Sequence, residues 1–171
     1  MNGNVCKQMT SRERMMAAML NQIPDMVPVA PDISNMVPSR LTGKPFWSIY
    51  LHDDPPLWQA YLHARSRYDM DGWFIYGGLA FKSKFDVPFE QFFTRQDNHR
   101  IDQQTVFHTP AGDLTSTVAY PDDNPPTSVE KMVKDFERDF PKLRYLLTEI
   151  TGYDDQLYLE MKKAVGQDGI M

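Results

Sequence analysis

Pro55-Pro56-Leu57-Trp58-Gln59-Ala60-Tyr61-Leu62-His63-Ala64-Arg65-Ser66-Arg67-Tyr68, followed at once by Asp69-Met70-Asp71-Gly72-Trp73-Phe74-Ile75-Tyr76-Gly77-Gly78, is the stretch that decides the fold. Proline is tolerated in the first turn of a helix because the N–H groups there have no acceptor, and Leu57, Trp58, Tyr61 and Leu62 then recur at helical spacing. That spacing predicts a helix to about Tyr68. Gly72 to Tyr76 is a compact aromatic and β-branched run closed by Gly77-Gly78, which predicts a buried strand over 72–76 ending in a tight turn. A helix feeding directly into a strand is the rhythm of a parallel α/β sheet.

Working outward toward the N-terminus, Thr10 with Glu13 forms a capping box, and Met15, Met16, Met19 and Leu20 continue at helical spacing, so a helix with a core-facing stripe is expected over 11–21. Pro24 ends it. Met26-Val27-Pro28-Val29-Ala30 reads as a first strand with limited pairing, and residues 32–54, interrupted by Pro38, Gly43 and Pro45, as an irregular connection with one helical turn at most. Toward the C-terminus, Phe81 to Asn98 mixes Phe81, Phe85, Phe89, Phe92 and Phe93 with Lys82, Lys84 and Arg95. It is read as a loop pinned to the core by its phenylalanines rather than as a single-strand nucleic-acid platform. Gln104–His108 and Leu114–Tyr120 flank Thr109-Pro110-Ala111-Gly112-Asp113 and predict a β-hairpin over 104–120. A second capping box at Thr127 and Glu130 opens an expected run of helices through 165, and Gly169-Ile170-Met171 reads as the start of another strand.

The 171 residues are enough for one domain; 42% are apolar, 12% aromatic and 24% charged, a mixture that excludes a disordered tail and a collagen-like repeat. Eighteen Lys and Arg against 23 Asp and Glu give a net charge of −5, which repels a phosphate backbone, so no nucleic-acid partner is expected. Cys6 is the only cysteine, so no disulfide closes within the chain and a cytoplasmic, reducing setting is expected. Arg12, Glu13 and Arg14 interrupt the place where a signal peptide needs its apolar centre, and no apolar stretch is long enough to span a bilayer. No membrane partner is expected.

No phosphate-cradling glycine loop is present, and His52, His63, His99 and His108 show no metal-ligand spacing, so no metal site and no cofactor are expected in this chain. His52-Asp53-Asp54 is the most chemically suggestive trio, and it is read as an exposed, solvated turn in preference to a site. No serine or cysteine nucleophile stands in a recognisable elbow or triad, so the catalytic residues stay unassigned. Position supplies the substrate-binding candidates. Ligands of parallel α/β folds bind at the carboxyl ends of strands, which selects Asp32 and Asn35 after the first strand, and Tyr76 and Gly77 after the second. Asp32 accepts hydrogen bonds, Asn35 orients a carboxylate or amide, and Gly77 lets a ligand approach the backbone.

Ser11-Arg12-Glu13-Arg14 opening a helix, then Pro24-Asp25-Met26-Val27-Pro28-Val29, resembles the start of the uroporphyrinogen decarboxylase superfamily. Tyr68-Asp69-Met70-Asp71-Gly72, His108-Thr109-Pro110-Ala111-Gly112-Asp113-Leu114 and Val165-Gly166-Gln167-Asp168-Gly169-Ile170 are similar to later landmarks of that family, in the same order. The resemblance implies a fold: the N-terminal portion of a (β/α)₈ TIM barrel with an inserted β-hairpin, incomplete at this length and open to self-association or to a complementary chain. It also implies an activity. Porphyrinogen-decarboxylating members carry an Arg-Gln-Ala-Gly-Arg-Tyr cluster after the first strand and an aspartate after the second, where this chain has Pro31-Asp32-Ile33-Ser34-Asn35-Met36 and Phe74-Ile75-Tyr76-Gly77-Gly78. The cobalamin-dependent methyltransferases of the superfamily are then the expected relatives, with a corrinoid-type or other small-molecule ligand, and with zinc and a corrinoid belonging to a complete protein. The alternatives are a decarboxylase-type lyase and a non-catalytic binding or interaction module that keeps part of the barrel; the chain by itself is expected to be inactive.

Overall fold

The structure, a computed structural model, describes residues 8–74 and 79–171. The N-terminal half is helical: α1 (Ser11–Met19), α2 (Met36–Leu41), α3 (Phe46–His52) and α4 (Leu57–Tyr68) precede β1 (Gly72–Trp73) and β2 (Ala80–Ser83). The second half runs β3 (Phe89–Gln96), β4 (Arg100–Thr109), β5 (Gly112–Pro121), β6 (Thr127–Glu130), α5 (Phe136–Leu143), β7 (Ile150–Asp154), α6 (Gln156–Val165) and β8 (Gly169–Ile170).

The expected portion of a (β/α)₈ barrel is not what the chain forms. Its largest sheet is four-stranded and antiparallel, in the order β3-β4-β5-β6, and β2 pairs antiparallel with β7. Among the described residues parallel pairing is confined to β1 and β8, with Gly72 opposite Gly169 and Trp73 opposite Ile170. The fold is mixed α/β, and the physical reason lies in the connections. Short turns join β3, β4 and β5, which forces antiparallel neighbours, whereas a parallel neighbour needs a crossover of a dozen residues or more.

Local expectations fail for equally specific reasons. Met26–Ala30 is extended but not a strand: Pro28 has no N–H, and Val29 N donates at 2.8 Å to the Asp71 carboxylate rather than to a neighbouring strand. The irregular connection over 32–54 contains two helices, because Pro38 falls in the first turn of α2 and Pro45 immediately precedes α3, where neither removes a needed donor. Thr127 and Glu130 do not open a helix. They form β6 on the edge of β5, and the Glu130 carboxylate is drawn to Thr117 Oγ1 at 2.6 Å and Lys134 Nζ at 2.8 Å. The phenylalanines of 81–98 are not pinned to the core either. They lie on β2, β3 and the segment between, with Phe81, Phe85, Phe89, Phe92 and Phe93 all exposed.

On α1 the Thr10–Glu13 capping box closes in both directions, at 3.2 and 2.8 Å. The side it buries is not the methionine stripe, since Met16, Met19 and Leu20 are exposed while Ser11, Arg14, Met15 and Ala17 are buried. Arg14 causes this. Its Nε and Nη1 donate to Asp25 Oδ1 at 2.7 Å and Asp71 Oδ1 at 2.6 Å, its Nη2 donates to Met9 O at 3.0 Å, and all three charged side chains are at least nine-tenths buried. Arg65 extends the network, donating to Ser11 Oγ and pairing with Asp168. A small core forms beside it from Tyr61, Phe74 and Val165, with the Tyr61 and Phe74 rings edge to face at 5.2 Å and Ile33, Leu62 and Met171 packed around them. A second apolar centre, Phe46 and Ile49 of α3, lies near β5, where Phe46 N donates to Asp122 O.

These charged contacts set the acid limit of the fold. The Arg14 hydrogen bond holds Asp25 well below the usual carboxylate range. Burial pulls Asp71 upward, but hydrogen bonds from Val29 N, Ser11 and Arg14 outweigh it and leave the group below its ordinary value. Lys134, then Thr117, lowers Glu130 to about 2. Arg138, then the Asp135 and Lys134 amides, lowers Asp139. Carboxyls depressed by folding bind fewer protons folded than unfolded, so their stabilisation is complete above the unfolded value and is lost as pH falls toward the folded one. Urea midpoints are therefore expected to hold steady from about pH 7 to 5 and to fall between about pH 4.5 and 2. A midpoint unchanged down to pH 2 would contradict the network.

Candidate functional site

The loop before α2 carries two of the sequence candidates. Asp32 is exposed, its Oδ1 accepts from Ser34 N at 2.7 Å, and this turn lets Ser34 adopt a φ of +47°. Asn35 stands at the N-cap of α2 but makes no side-chain capping bond. Its side chain instead faces the Tyr50 hydroxyl from one side, and the fully buried Ser39 faces it from another. Burial pushes the Tyr50 phenol above its ordinary value, and Asn35 and Ser39 only partly offset it. Tyr61 is raised too, first by burial and then by the negative charge of Asp32. Both phenols consequently stay protonated at neutral pH and can donate.

Within this group the Ser39 hydroxyl, the Trp47 indole N–H and the Tyr50 hydroxyl are buried without completing a hydrogen bond to any described residue. Each such atom costs about 1 to 3 kcal/mol unless something satisfies it. α2 and α3 thus hold two hydroxyls and one N–H uncommitted, with the Asn35 amide facing Tyr50. That combination both donates and accepts, and it suits a polar, uncharged or weakly basic group on a ligand.

Asn35 is brought beside Tyr50, Asp32 lies where its charge acts on Tyr61 of α4, and Tyr76 and Gly77 lie outside the described residues. Sequence reading missed Ser39, Trp47 and Tyr50, which belong to no motif and fall within a stretch read as irregular. The only available signal was polar residues at helical spacing among Val37, Leu41, Phe46 and Ile49. The His52-Asp53-Asp54 trio does not converge: the His52 ring packs edge-on against Trp47 at 6.1 Å, Asp53 ends α3 with a φ of +49°, and Asp54 pairs with Lys44. His63 is exposed on α4, and His99 and His108 pair with Asp122 and Asp113 on the hairpin sheet. Among the described residues no three His, Cys, Asp or Glu side chains are placed to hold one metal ion, and no helix is long and apolar enough to cross a membrane. No family model matches the chain, and neither a curated protein nor a solved structure matches it.

Proposed function

We propose that the chain is a small-molecule-binding segment of a cytoplasmic protein related to the uroporphyrinogen decarboxylase superfamily, working in methyl transfer with a corrinoid rather than in porphyrinogen decarboxylation. The observation that carries the binding reading is the set of uncommitted buried atoms at Ser39, Trp47 and Tyr50, with Asn35 facing Tyr50. Buried polar groups in native proteins are nearly always paired, so three on two consecutive helices mark a place whose partner comes from outside. A corrinoid suits it chemically, because the carboxamides on the rim of a corrin both donate and accept.

The family reading draws support from where its landmarks meet. Arg14, Asp25 and Asp71 share one buried ion-pair network, Arg12 N donates to Gln167 O, and Gly72 N donates to Asp168 O. Three of the four quoted motifs are thus in direct contact. The donor set of the described residues does not fit the zinc ion of the methyltransferase branch, and this segment's part in the reaction is to bind and orient. The decarboxylase alternative is disfavoured by the segment 31–36, which contains no arginine for substrate carboxylates. Incubation with uroporphyrinogen is expected to yield no coproporphyrinogen above a buffer control, and turnover would overturn this choice of branch.

Tyr50→Phe separates binding from folding. Removing a buried hydroxyl that Asn35 and Ser39 face without completing a hydrogen bond should leave thermal stability unchanged or raise it by up to about 1 kcal/mol, while weakening the ligand. A variant that loses stability and keeps its affinity would show that the hydroxyl is structural.

A second reading, an interaction module, is favoured by one observation: Phe81, Phe89, Phe92, Phe93, Ile150 and Tyr153 are all exposed on strands. Surface of this kind is expected to associate with a second copy or a complementary chain. Light scattering on a size-exclusion column should report a mass above that of one chain, rising with concentration, and a sharp monomer at every concentration would exclude self-association.

A further inference from the structure

Far from α2 in sequence, a groove of about 320 Å³ opens between the approach to β3 and the β4–β5 turn. Phe85, Val87, Pro88, Pro110 and Tyr145 supply its apolar walls, and Asp86, His108 and Thr109 its polar groups. The walls are fixed rather than loose. His108 N donates to Pro88 O at 2.8 Å, and the hairpin turn is closed by Thr109 Oγ1 donating to Gly112 O at 2.6 Å. Phe85 and Tyr145 meet edge to face with centroids 6.4 Å apart. His108 is held in orientation, its Nδ1 3.0 Å from Asp113 Oδ1 and its Nε2 3.9 Å from Glu90 Oε1.

The groove's lining carries one carboxylate and no lysine or arginine. Asp86 lines the groove and is paired with no cation among the described residues, and the His108 ring on its wall stands between the carboxylates of Glu90 and Asp113. Of the nearby cations, Lys84 is committed to Glu149 and Lys142 to Asp113 O and Asp139, while Arg144 lines a neighbouring cavity with Phe85 and Tyr145 and is not part of this groove's lining. Aromatic faces next to an unpaired carboxylate recognise an organic cation, because the ring quadrupole and the carboxylate both attract the same charge while the walls take the apolar body.

The geometry points to a binding site for an organic amine with an aromatic or alkyl body, seated against Phe85 and Tyr145 with its ammonium on Asp86. The site is independent of the α2–α3 cluster and shares no residue with it. An anion would meet the Asp86 carboxylate, and a neutral compound would gain only the apolar contact.

The test uses the full chain and three compounds of one shape: phenethylamine, 2-phenylethanol and phenylacetate, titrated to about 10 mM while amide resonances are followed by NMR. Phenethylamine is expected to shift Val87, His108 and Thr109 saturably, with an affinity at least about tenfold above either of the others. Asp86→Asn, at an exposed position, should reduce that affinity about tenfold or more without changing the fold, and Asp32→Asn should leave it unchanged. No saturable shift, equal binding of the three compounds, or an Asp86→Asn variant that binds as the parent does would overturn the proposal.

Discussion

Arg14→Met will destabilise the chain by about 3 to 5 kcal/mol, the range for removing one partner of a buried ion pair. The guanidinium holds two carboxylates, Asp25 and Asp71, and also caps Met9 O. Methionine keeps the volume but leaves two like charges buried together with nothing opposite them. Asp71 also accepts Val29 N at 2.8 Å, and Asp71 N returns a bond to Val29 O, so loss of the arginine loosens the 26–30 segment as well as α1. The charge origin of the effect can be isolated. Adding Asp25→Asn and Asp71→Asn to Arg14→Met should recover part of the lost stability, because neutral amides cost less to leave buried than carboxylates. Urea unfolding measures all of these. If Arg14→Met costs under about 1 kcal/mol, the network contributes no more than an exposed pair would.

Gly169→Ala is the second substitution with a large expected effect, about 3 kcal/mol, toward the upper end of what overpacking costs. A Cβ on Gly169 would overlap the Gly72 carbonyl oxygen and lie 2.6 Å from the Gly72 Cα, and a Cβ on Gly72 would lie 2.6 Å from Asp168 O. These neighbours are backbone, which cannot swing aside as a side chain can. The β1–β8 pair therefore exists only with glycine in both strands, and an added methyl must push them apart. Separation would expose Ile170 and Phe74 and break the Gly72 N to Asp168 O and Phe74 N to Ile170 O bonds. Gly152→Ala in β7 is the control, since its nearest neighbour there would be Lys82 Cδ at 3.9 Å, and a change within about 0.5 kcal/mol is expected. Equal effects at the two positions would mean that the loss is one of glycine generally and not of this contact.

What could be read in the sequence was local. Thr10 with Glu13, and Pro56 ahead of Leu57, place α1 and α4 because caps and first-turn prolines act on the residues beside them. The hairpin is legible for the same reason: β4 and β5 are joined across Pro110 and Ala111, next to a Gly112 with φ of +109°. The misread segments are those whose state is decided far along the chain. Thr127–Glu130 carries a helical signature, yet the open edge of β5 captures it, and Glu130 reaches Thr115, Thr117 and Gln104 across the sheet instead of its own backbone. Phe89–Gln96 shows no alternation, so nothing local announces a strand; its register comes from the ladder to Arg100–Thr109. The barrel expectation extrapolated one helix-strand step over the whole chain, and among the described residues only the two-residue β1–β8 pair is parallel.

The candidate site divides in the same way. Asp32 and Asn35 were found by position, because a polar loop after an extended segment needs no tertiary information. Ser39, Trp47 and Tyr50 could not be found so, since a buried hydroxyl becomes informative only when the groups around it are known. Charge patterning was no guide either: Arg14 lies within an ordinary-looking charged turn, and what makes it structural is Asp71, which follows α4.

The most direct measurement is the indole N–H resonance of Trp47, one of three tryptophans, during titration of the full chain with methylcobalamin. If the α2–α3 cluster is the ligand site, the Trp47 resonance should move saturably while that of Trp58 stays in place. Tyr50→Phe and Ser39→Ala should each raise the half-saturation concentration by about tenfold, the worth of one hydrogen bond to a charged or buried group. A Trp47 resonance that does not move, or one that moves identically in both variants, would contradict the assignment of this cluster as a binding site.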